Sequence, residues 1–184
     1  LLATGAHVVA VDNFNDYYTP DRKRRHLQLA LTNPRFTLVS GDIRDQALMA
    51  SVFAQHQPHY VAHLAAMAGP RYSVQHPLLY EDVNVRATMH ILDLARHHQV
   101  KGMILASTSS VYGALPTPWH EGLAADRPLS PYAATKRAAE MLAYTYHYQY
   151  GVPTRVLRFF TVYGPRGRPD MTPSLFVDKM RANQ

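Results

Sequence analysis

Cysteine is absent from the 184 residues, which excludes disulfides, thiolate catalysis and cysteine-bound metal and fits a reducing compartment. No apolar run approaches the roughly 20 residues that cross a bilayer, and the first residues lack the basic and apolar regions of a secretory signal. The expectation is a cytoplasmic chain with no membrane partner. A glycine-rich turn of the form G-x-x-G-x-x-G occurs nowhere. H-E-x-x-H is missing as well. Of the 11 histidines, His97 and His98 are adjacent near a helix end and point in different directions, so no metal is expected. Acids are outnumbered 13 to 19, for a net charge of +6. The tightest basic group, Arg22-Lys23-Arg24-Arg25, falls in a helix following Pro20, and the remaining Lys and Arg are dispersed. Nucleic-acid binders concentrate such charge on one face and interleave it with aromatics; no nucleic-acid partner is expected here.

A hydrophobic content of 47% with 17% charge suits one globular domain with a real core and argues against two independent ones. Short apolar strands alternate with longer helical segments, the signature of a parallel α/β sheet. Strands are predicted at His7-Val8-Val9-Ala10-Val11, after a helix stop at Thr4-Gly5, and at residues 36–40, 59–65, 103–107 and 155–160. Helical periodicity covers 45–56 and 78–99. In the second of these, Val83, Ala87, Ile91 and Leu94 form an apolar stripe suited to packing. The spacing predicts a further helix over 132–150, with Ser130 as N-cap, Pro131 in its first turn and Gly151 at its end. One more amphipathic helix runs from Pro173 to Gln184.

The chemistry concentrates at three strand ends. Tyr132 and Lys136 are four apart, so a helix stacks phenol and ammonium on one face. A cation beside a phenol favours the phenolate, which suits Tyr132 as proton acceptor for an alcohol. Upstream, a strand runs into the hydroxyl cluster Ser107-Thr108-Ser109-Ser110, which can bond a substrate oxygen. Downstream, Arg155-Val156-Leu157-Arg158-Phe159-Phe160 empties into Thr161-Val162-Tyr163-Gly164-Pro165-Arg166-Gly167-Arg168-Pro169-Asp170-Met171. Asp12 ends the first strand, where the Rossmann pattern places an acid on the adenosine ribose. A carboxylate there repels a 2′-phosphate and favours NAD over NADP. Leu64, Ala65 and Ala66 supply small residues where backbone approaches a cofactor.

These segments resemble the extended short-chain dehydrogenase/reductases of the NAD-dependent epimerase/dehydratase family. Among these, they are most similar to the nucleotide-sugar 4-epimerases acting on UDP-glucuronate. The matching stretches are Val11-Asp12-Asn13-Phe14-Asn15-Asp16-Tyr17-Tyr18; His63-Leu64-Ala65-Ala66 with Ala68-Gly69 and Arg71-Tyr72-Ser73; the hydroxyl cluster; the Tyr/Lys pair; and Arg158 through Met171. Relatives usually carry Gln where this chain has Met67 and Val where it has Pro70. The fold implied is a Rossmann-like doubly wound parallel sheet, incomplete because the first strand and its glycine turn are missing. Leu1 to Gly5 then reads as the end of the helix after that turn. The expectation is an internal fragment of a longer enzyme, with a partial NAD-binding domain over 1–164 and the start of a substrate-binding region over 165–184.

The resemblance implies that Tyr132 is base and acid, with Lys136 as its electrostatic partner and a ligand of the nicotinamide ribose. Thr108 completes the triad. Asp12 and Asn13 meet the adenosine ribose, Asp42 and Ile43 bracket the adenine, and Ser109, Ser110, Arg71 and Thr161 lie beside the sugar. Arg168 holds the uronate carboxylate. The activity implied is reversible 4-epimerisation of UDP-glucuronate through a 4-keto intermediate, in a homodimer formed by the 78–99 helix and the Tyr/Lys helix. Dehydratases and decarboxylases of this fold commonly carry acids after the catalytic Thr, where this chain has Ser109 and Ser110. A neutral-hexose epimerase remains an alternative, separated by whether Arg168 meets a carboxylate. A catalytically silent NAD-binding protein is the rival from another class.

Overall fold

A computed structural model describes residues 1–182. In chain order the elements are β1 (Val8–Asp12), α1 (Pro20–Leu31), β2 (Phe36–Ser40), α2 (Gln46–His56), β3 (Tyr60–His63), α3 (Pro70–Gln75), α4 (Pro77–Glu81), a π turn (Asp82–Arg86) and α5 (Ala87–His97). They continue with β4 (Gly102–Thr108), a 3-10 turn (Ser109–Tyr112), α6 (Pro131–Tyr150), β5 (Thr154–Phe159) and α7 (Thr172–Arg181). No helix among the described residues is long and apolar enough to cross a membrane.

The chain divides into two compact units, one of Leu1–Ser40 with the segment from Thr161 onward, the other of Gly41–Phe160. In the first, β1 and β2 pair in parallel, Val8 opposite Phe36 through Asp12 opposite Ser40. Residues Leu2–Thr4 form a 3-10 turn closed by Gly5 in the left-handed conformation, at φ 86°, where a side chain would be strained. Helix α1 begins with Pro20, whose fixed φ suits a first turn.

The second unit holds a three-stranded parallel sheet in the order β3-β4-β5. One face of β4 is the core: Met103, Leu105 and Ser107 are buried, whereas Ile104 between them is 41% exposed. Helix α6 packs on that strand and on α5. Ser130 caps α6, its Oγ accepting from the Ala133 N–H at 3.2 Å, with Pro131 in the first turn. Gly151, at φ 69°, ends it. Small buried residues, Ala133, Ala139 and Ala143, let the helix approach closely. Val111 and Tyr112 of the Ser109–Tyr112 turn form a lesser core with Ala125, and Trp119 and Leu123 pack against it. Gly113 (φ 59°) makes that possible, since a Cβ there would lie 2.5 Å from the Arg127 carbonyl oxygen.

The five strands and the helices at 45–56 and 132–150 form within a residue or two of their expected bounds. The helix from Pro173 forms one residue early and runs to Arg181; its last two expected residues lie outside the described residues. The stretch 78–99 is helical as expected over Pro77–His97, but not at one pitch. It comprises α4, the π turn and α5, because five residues fill the wide turn. The buried stripe consequently shifts: Val83, Ala87 and Ile91 are joined by Leu92 and Ala95, and Leu94 is only half-buried. Helix α3 and the 3-10 turn at Ser109–Tyr112 are too short to show in the periodicity.

Candidate active site

Tyr132 occupies the first turn of α6, where the Ser130 cap and Pro131 fix the start of the helix. Its ring is half-buried and meets the edge of Tyr80, centroids 6.1 Å apart at 79°. Tyr80 is fully buried and donates its hydroxyl to the Ala68 carbonyl at 2.6 Å. One turn along α6, Lys136 is 4% exposed. Burial pushes its ammonium down to about 8, with the Glu140 carboxylate acting in the opposite direction. The cation in turn adds to burial in holding His63 neutral, down to about 3. His63 Nε2 meets Thr88 Oγ1 at 2.9 Å.

Glu140, a second turn further, is also buried. Burial alone would raise its carboxyl, but bonds from Arg158, Ser107 and Arg137 outweigh that and hold it below the usual carboxylate range. Arg158 of β5 donates from Nε to Oε1 at 3.0 Å and from Nη2 to Oε2 at 2.8 Å. Arg137 donates to Oε2 at 2.8 Å. Ser107 Oγ donates to Oε1 at 2.5 Å, which ties the end of β4 to the helix carrying Tyr132 and Lys136. The neighbouring Thr108 is 7% exposed, and its Oγ1 accepts from the Ser110 N–H at 3.2 Å. That bond starts the 3-10 turn and leaves Ser109 and Ser110 half-buried beyond the strand.

A second clasp involves Asn84, on the π turn and 1% exposed. Its Oδ1 accepts from Met67 N–H at 2.8 Å, and its Nδ2 donates to Met67 O at 2.9 Å and to Thr135 Oγ1 at 3.1 Å. One side chain thus joins the loop after β3 to α6. Leu64 (61% exposed) and Ala65 lie on the exposed part of that loop, Ala66 is half-buried, and Arg71 is exposed on α3. Ile43 is buried beside Asp42, which takes Arg44 Nη2 at 2.8 Å; Arg44 also reaches Asp82 at 3.2 Å.

The structure therefore brings Tyr132, Lys136 and the Thr108 cluster into one unit with Asp42, Ile43, Leu64, Ala65, Ala66 and Arg71. Asp12, Asn13, Thr161 and Arg168 belong to the other. There, Asp12 is exposed at the end of β1, and its Oδ1 accepts from Phe14 N–H at 2.7 Å. Asn13 caps the next turn through Asn15 N–H at 3.0 Å. Thr161 is exposed, and Arg168 is paired with Asp170. Glu140, Arg158 and Asn84 are the residues that sequence reasoning missed. For Glu140 a signal was present, since it repeats the four-residue step from Tyr132 to Lys136. Among the described residues, no group of three or more His, Cys, Asp or Glu is placed to hold a metal ion.

A family model described as GDP-mannose 4,6 dehydratase matches residues 1–183. A UDP-glucuronate 4-epimerase of Thermodesulfobacterium geofontis (strain OPF15) is 44% identical over 177 residues, 96% of this chain and 55% of that protein. A probable UDP-glucuronate 4-epimerase of Rhizobium meliloti (strain 1021) is 43% identical over 180 residues, 97% of this chain and 52% of that protein. The crystal structure of a UDP-glucuronic acid 4-epimerase from Bacillus cereus, in complex with UDP-glucuronic acid and NAD, superimposes with a TM-score of 0.91 at 34% identity. That match covers 98% of this chain and 57% of the other. The chain spans about half the length of the relatives it matches. Parallel sheets, the Tyr/Lys helix packed on β4 and a family match along the chain converge: the chain belongs to the GDP-mannose 4,6-dehydratase family of NAD-dependent epimerases and dehydratases.

Proposed function

We propose that the protein containing this chain is an NAD-dependent nucleotide-sugar 4-epimerase that interconverts UDP-glucuronate and UDP-galacturonate. The observation that carries this reading is Tyr132 at the start of α6 with the buried cation Lys136 one turn on, at the hydroxyl-rich end of β4. The protein from Bacillus cereus, with its UDP-glucuronic acid and NAD, supports the choice of sugar and cofactor.

The residues fit NAD. Asp12 presents an exposed carboxylate at the carboxyl end of β1, the place at which a Rossmann strand meets a ribose diol. The side chains of Ala65 and Ala66 are too small to block a flat group from the backbone. Lys136 would bond the nicotinamide ribose, Asn13 the adenosine ribose, and Asp42 and Ile43 would flank the adenine. When bound, NAD accepts hydride from C4 of the sugar and returns it.

The protein's own part is proton handling and orientation. Tyr132 takes the O4 proton as hydride leaves C4, so the sugar becomes a 4-ketone. Lys136, buried one turn further along α6, would act as the electrostatic partner of Tyr132. Thr108, Ser109 and Ser110 bond the sugar oxygens. After the sugar turns over, Tyr132 returns its proton to O4 as hydride reaches the opposite face. The ketone is a β-keto acid, prone to lose carbon dioxide if its carboxylate bond aligns with the carbonyl π system. Arg168, with Thr161 and Arg71 beside the sugar, would hold that carboxylate out of alignment.

Met141, Tyr144 and Tyr148 on α6 are 60 to 73% exposed, and we read them as part of a homodimer surface. A neutral-hexose 4-epimerase is the second reading. It is favoured by Arg168 already holding Asp170.

The test is turnover by the full-length enzyme. UDP-glucuronate with NAD should give UDP-galacturonate, and Tyr132→Phe should lower the rate by about 10²- to 10⁴-fold with NAD still bound. Retention of more than about a tenth of the rate would remove Tyr132 as the base. Faster turnover of UDP-glucose than of UDP-glucuronate would install the second reading.

A further inference from the structure

We propose that Tyr80 is a positioning residue: its ring sets the orientation of the Tyr132 phenol, and its hydroxyl ties that phenol to the loop after β3 that carries Leu64, Ala65 and Ala66. The proposal rests on the reading of Tyr132 as the proton acceptor and of that loop as a cofactor contact.

A tyrosine ring turns about its last side-chain torsion in a broad well, and Tyr132 is only half-buried in the first turn of α6. Something beyond its own rotamer has to hold the phenol where a sugar oxygen can reach it. Tyr80 does so. It is fully buried, and its ring stands almost perpendicular to that of Tyr132, at 79° with centroids 6.1 Å apart. That is the edge-to-face arrangement which aromatic quadrupoles favour. Tyr72 of α3 gives the Tyr80 ring a second aromatic neighbour, at 6.3 Å.

The hydroxyl end of Tyr80 is anchored as well. Its proton goes to the Ala68 carbonyl at 2.6 Å, and the Gly69 carbonyl lies at 3.0 Å. Gly69 takes φ 98°, in the region that favours glycine, so the loop turns into α3 at the point where Tyr80 grips it. Four residues after Tyr80, Asn84 binds both backbone groups of Met67 and the hydroxyl of Thr135. On one side, Tyr80 and Asn84 thus hold the consecutive loop residues Met67, Ala68 and Gly69; on the other they meet Tyr132 and Thr135 of α6. Thr135 closes the circuit by donating to the Tyr132 carbonyl at 2.9 Å. A residue that only filled the core would need neither the bond to the loop nor a set angle to Tyr132.

Two substitutions in the full-length enzyme divide the side chain into ring and hydroxyl. Tyr80→Leu removes the ring, and kcat should fall about 10- to 100-fold, as a misplaced reacting group does, with KM little changed. In Tyr132→Phe there is no phenol hydroxyl left to misplace, so adding Tyr80→Leu there should lower the residual rate hardly further. Leu92→Ala, which empties another fully buried position on α5, should lower the melting temperature and leave kcat near wild type. Tyr80→Phe keeps the ring and loses the bond to Ala68. Its kcat at saturating NAD should stay near wild type, and calorimetry should show NAD binding weakened about two- to tenfold.

Wild-type kcat in a folded Tyr80→Leu enzyme would overturn the proposal, as would an equal proportional loss from that change with and without the Tyr132 hydroxyl. A matching loss of kcat in Leu92→Ala would reduce Tyr80 to a stability role. If the leucine variant does not fold, Tyr80→Phe decides alone, and unchanged NAD affinity there overturns the tie to the loop and the proposal with it. Should Tyr132→Phe by itself keep more than about a tenth of the rate, the reading of Tyr132 fails instead, and the NAD result for Tyr80→Phe stands apart from it.

Discussion

Arg168 closes on Asp170 with two hydrogen bonds, Nε to Oδ1 at 3.0 Å and Nη2 to Oδ2 at 2.5 Å. Tyr17 donates its hydroxyl to the same carboxylate at 3.3 Å, and its ring lies 5.3 Å from the guanidinium. The bond from Arg168 is the main reason the Asp170 carboxyl sits below its ordinary range. A planar fork in this arrangement already has the geometry for a carboxylate. Kinetics with a uronate and a neutral sugar will tell whether the substrate takes the place of Asp170.

Replacing Arg168 by Ala or Lys in the full-length enzyme should cut turnover of UDP-glucuronate roughly ten- to a hundredfold, the equivalent of a lost charge-assisted bond of about 1.5 to 3 kcal/mol. Turnover of UDP-glucose, if measurable, should change far less. Steady-state kinetics with both sugars decides it: equal losses would make the arginine a structural partner of Asp170 only.

His63 gives a pH dependence with a definite sign. In the folded protein its imidazole stays neutral down to about pH 3 because of burial and the nearby Lys136. In the unfolded chain it takes up a proton near about 6.5. Below that value the unfolded state binds more protons, so stability falls as pH drops from about 6.5 toward 3, by at most about 1.4 kcal/mol per pH unit for this one group. Above neutrality the contribution no longer changes with pH. Urea denaturation at pH 7.5 and pH 5 should show a smaller difference in His63→Gln than in wild type. Identical differences in the two proteins would assign the acid sensitivity elsewhere.

Asn84→Ala should destabilise the fold, because it removes the buried hydrogen bonds that Asn84 makes with Met67 N–H, Met67 C=O and Thr135 Oγ1. A hydrogen bond of this kind contributes about 0.5 to 1.5 kcal/mol. Turnover should suffer as well, since the same amide reaches Thr135 on the helix that carries Tyr132. Thermal melting of the variant is the check. A midpoint within a degree of wild type would mean that water replaces the asparagine at little cost.

Local signals made part of this legible in the sequence. The caps of α6 could be read directly, as Ser130, Pro131 and Gly151 act within a turn of themselves. Strand β2 has its expected bounds for the same local reason. Tyr132 and Lys136 needed only helical spacing. Asn84 could not be found that way, since its partners Met67 and Thr135 are 17 and 51 residues distant. Arg158 looked like one basic residue of a strand, Arg155 and Arg158 being equivalent in sequence. Only pairing with β4, which sets Ser107 opposite Arg158, singles it out. The π turn inside 78–99 also escaped, because periodicity assumes one helical pitch throughout.

Side chains advance about 100° per residue along a helix, so a residue absorbed by the wide turn at Asp82–Arg86 rotates α4 relative to α5 by more than a quarter of a revolution. The turn acts as a shift of phase inside an otherwise continuous rod. Asn84 serves the Met67 loop and α6, while Thr88, four residues later, answers to His63. Deleting one residue there would put the rod back in phase and send one of these two conversations out to solvent.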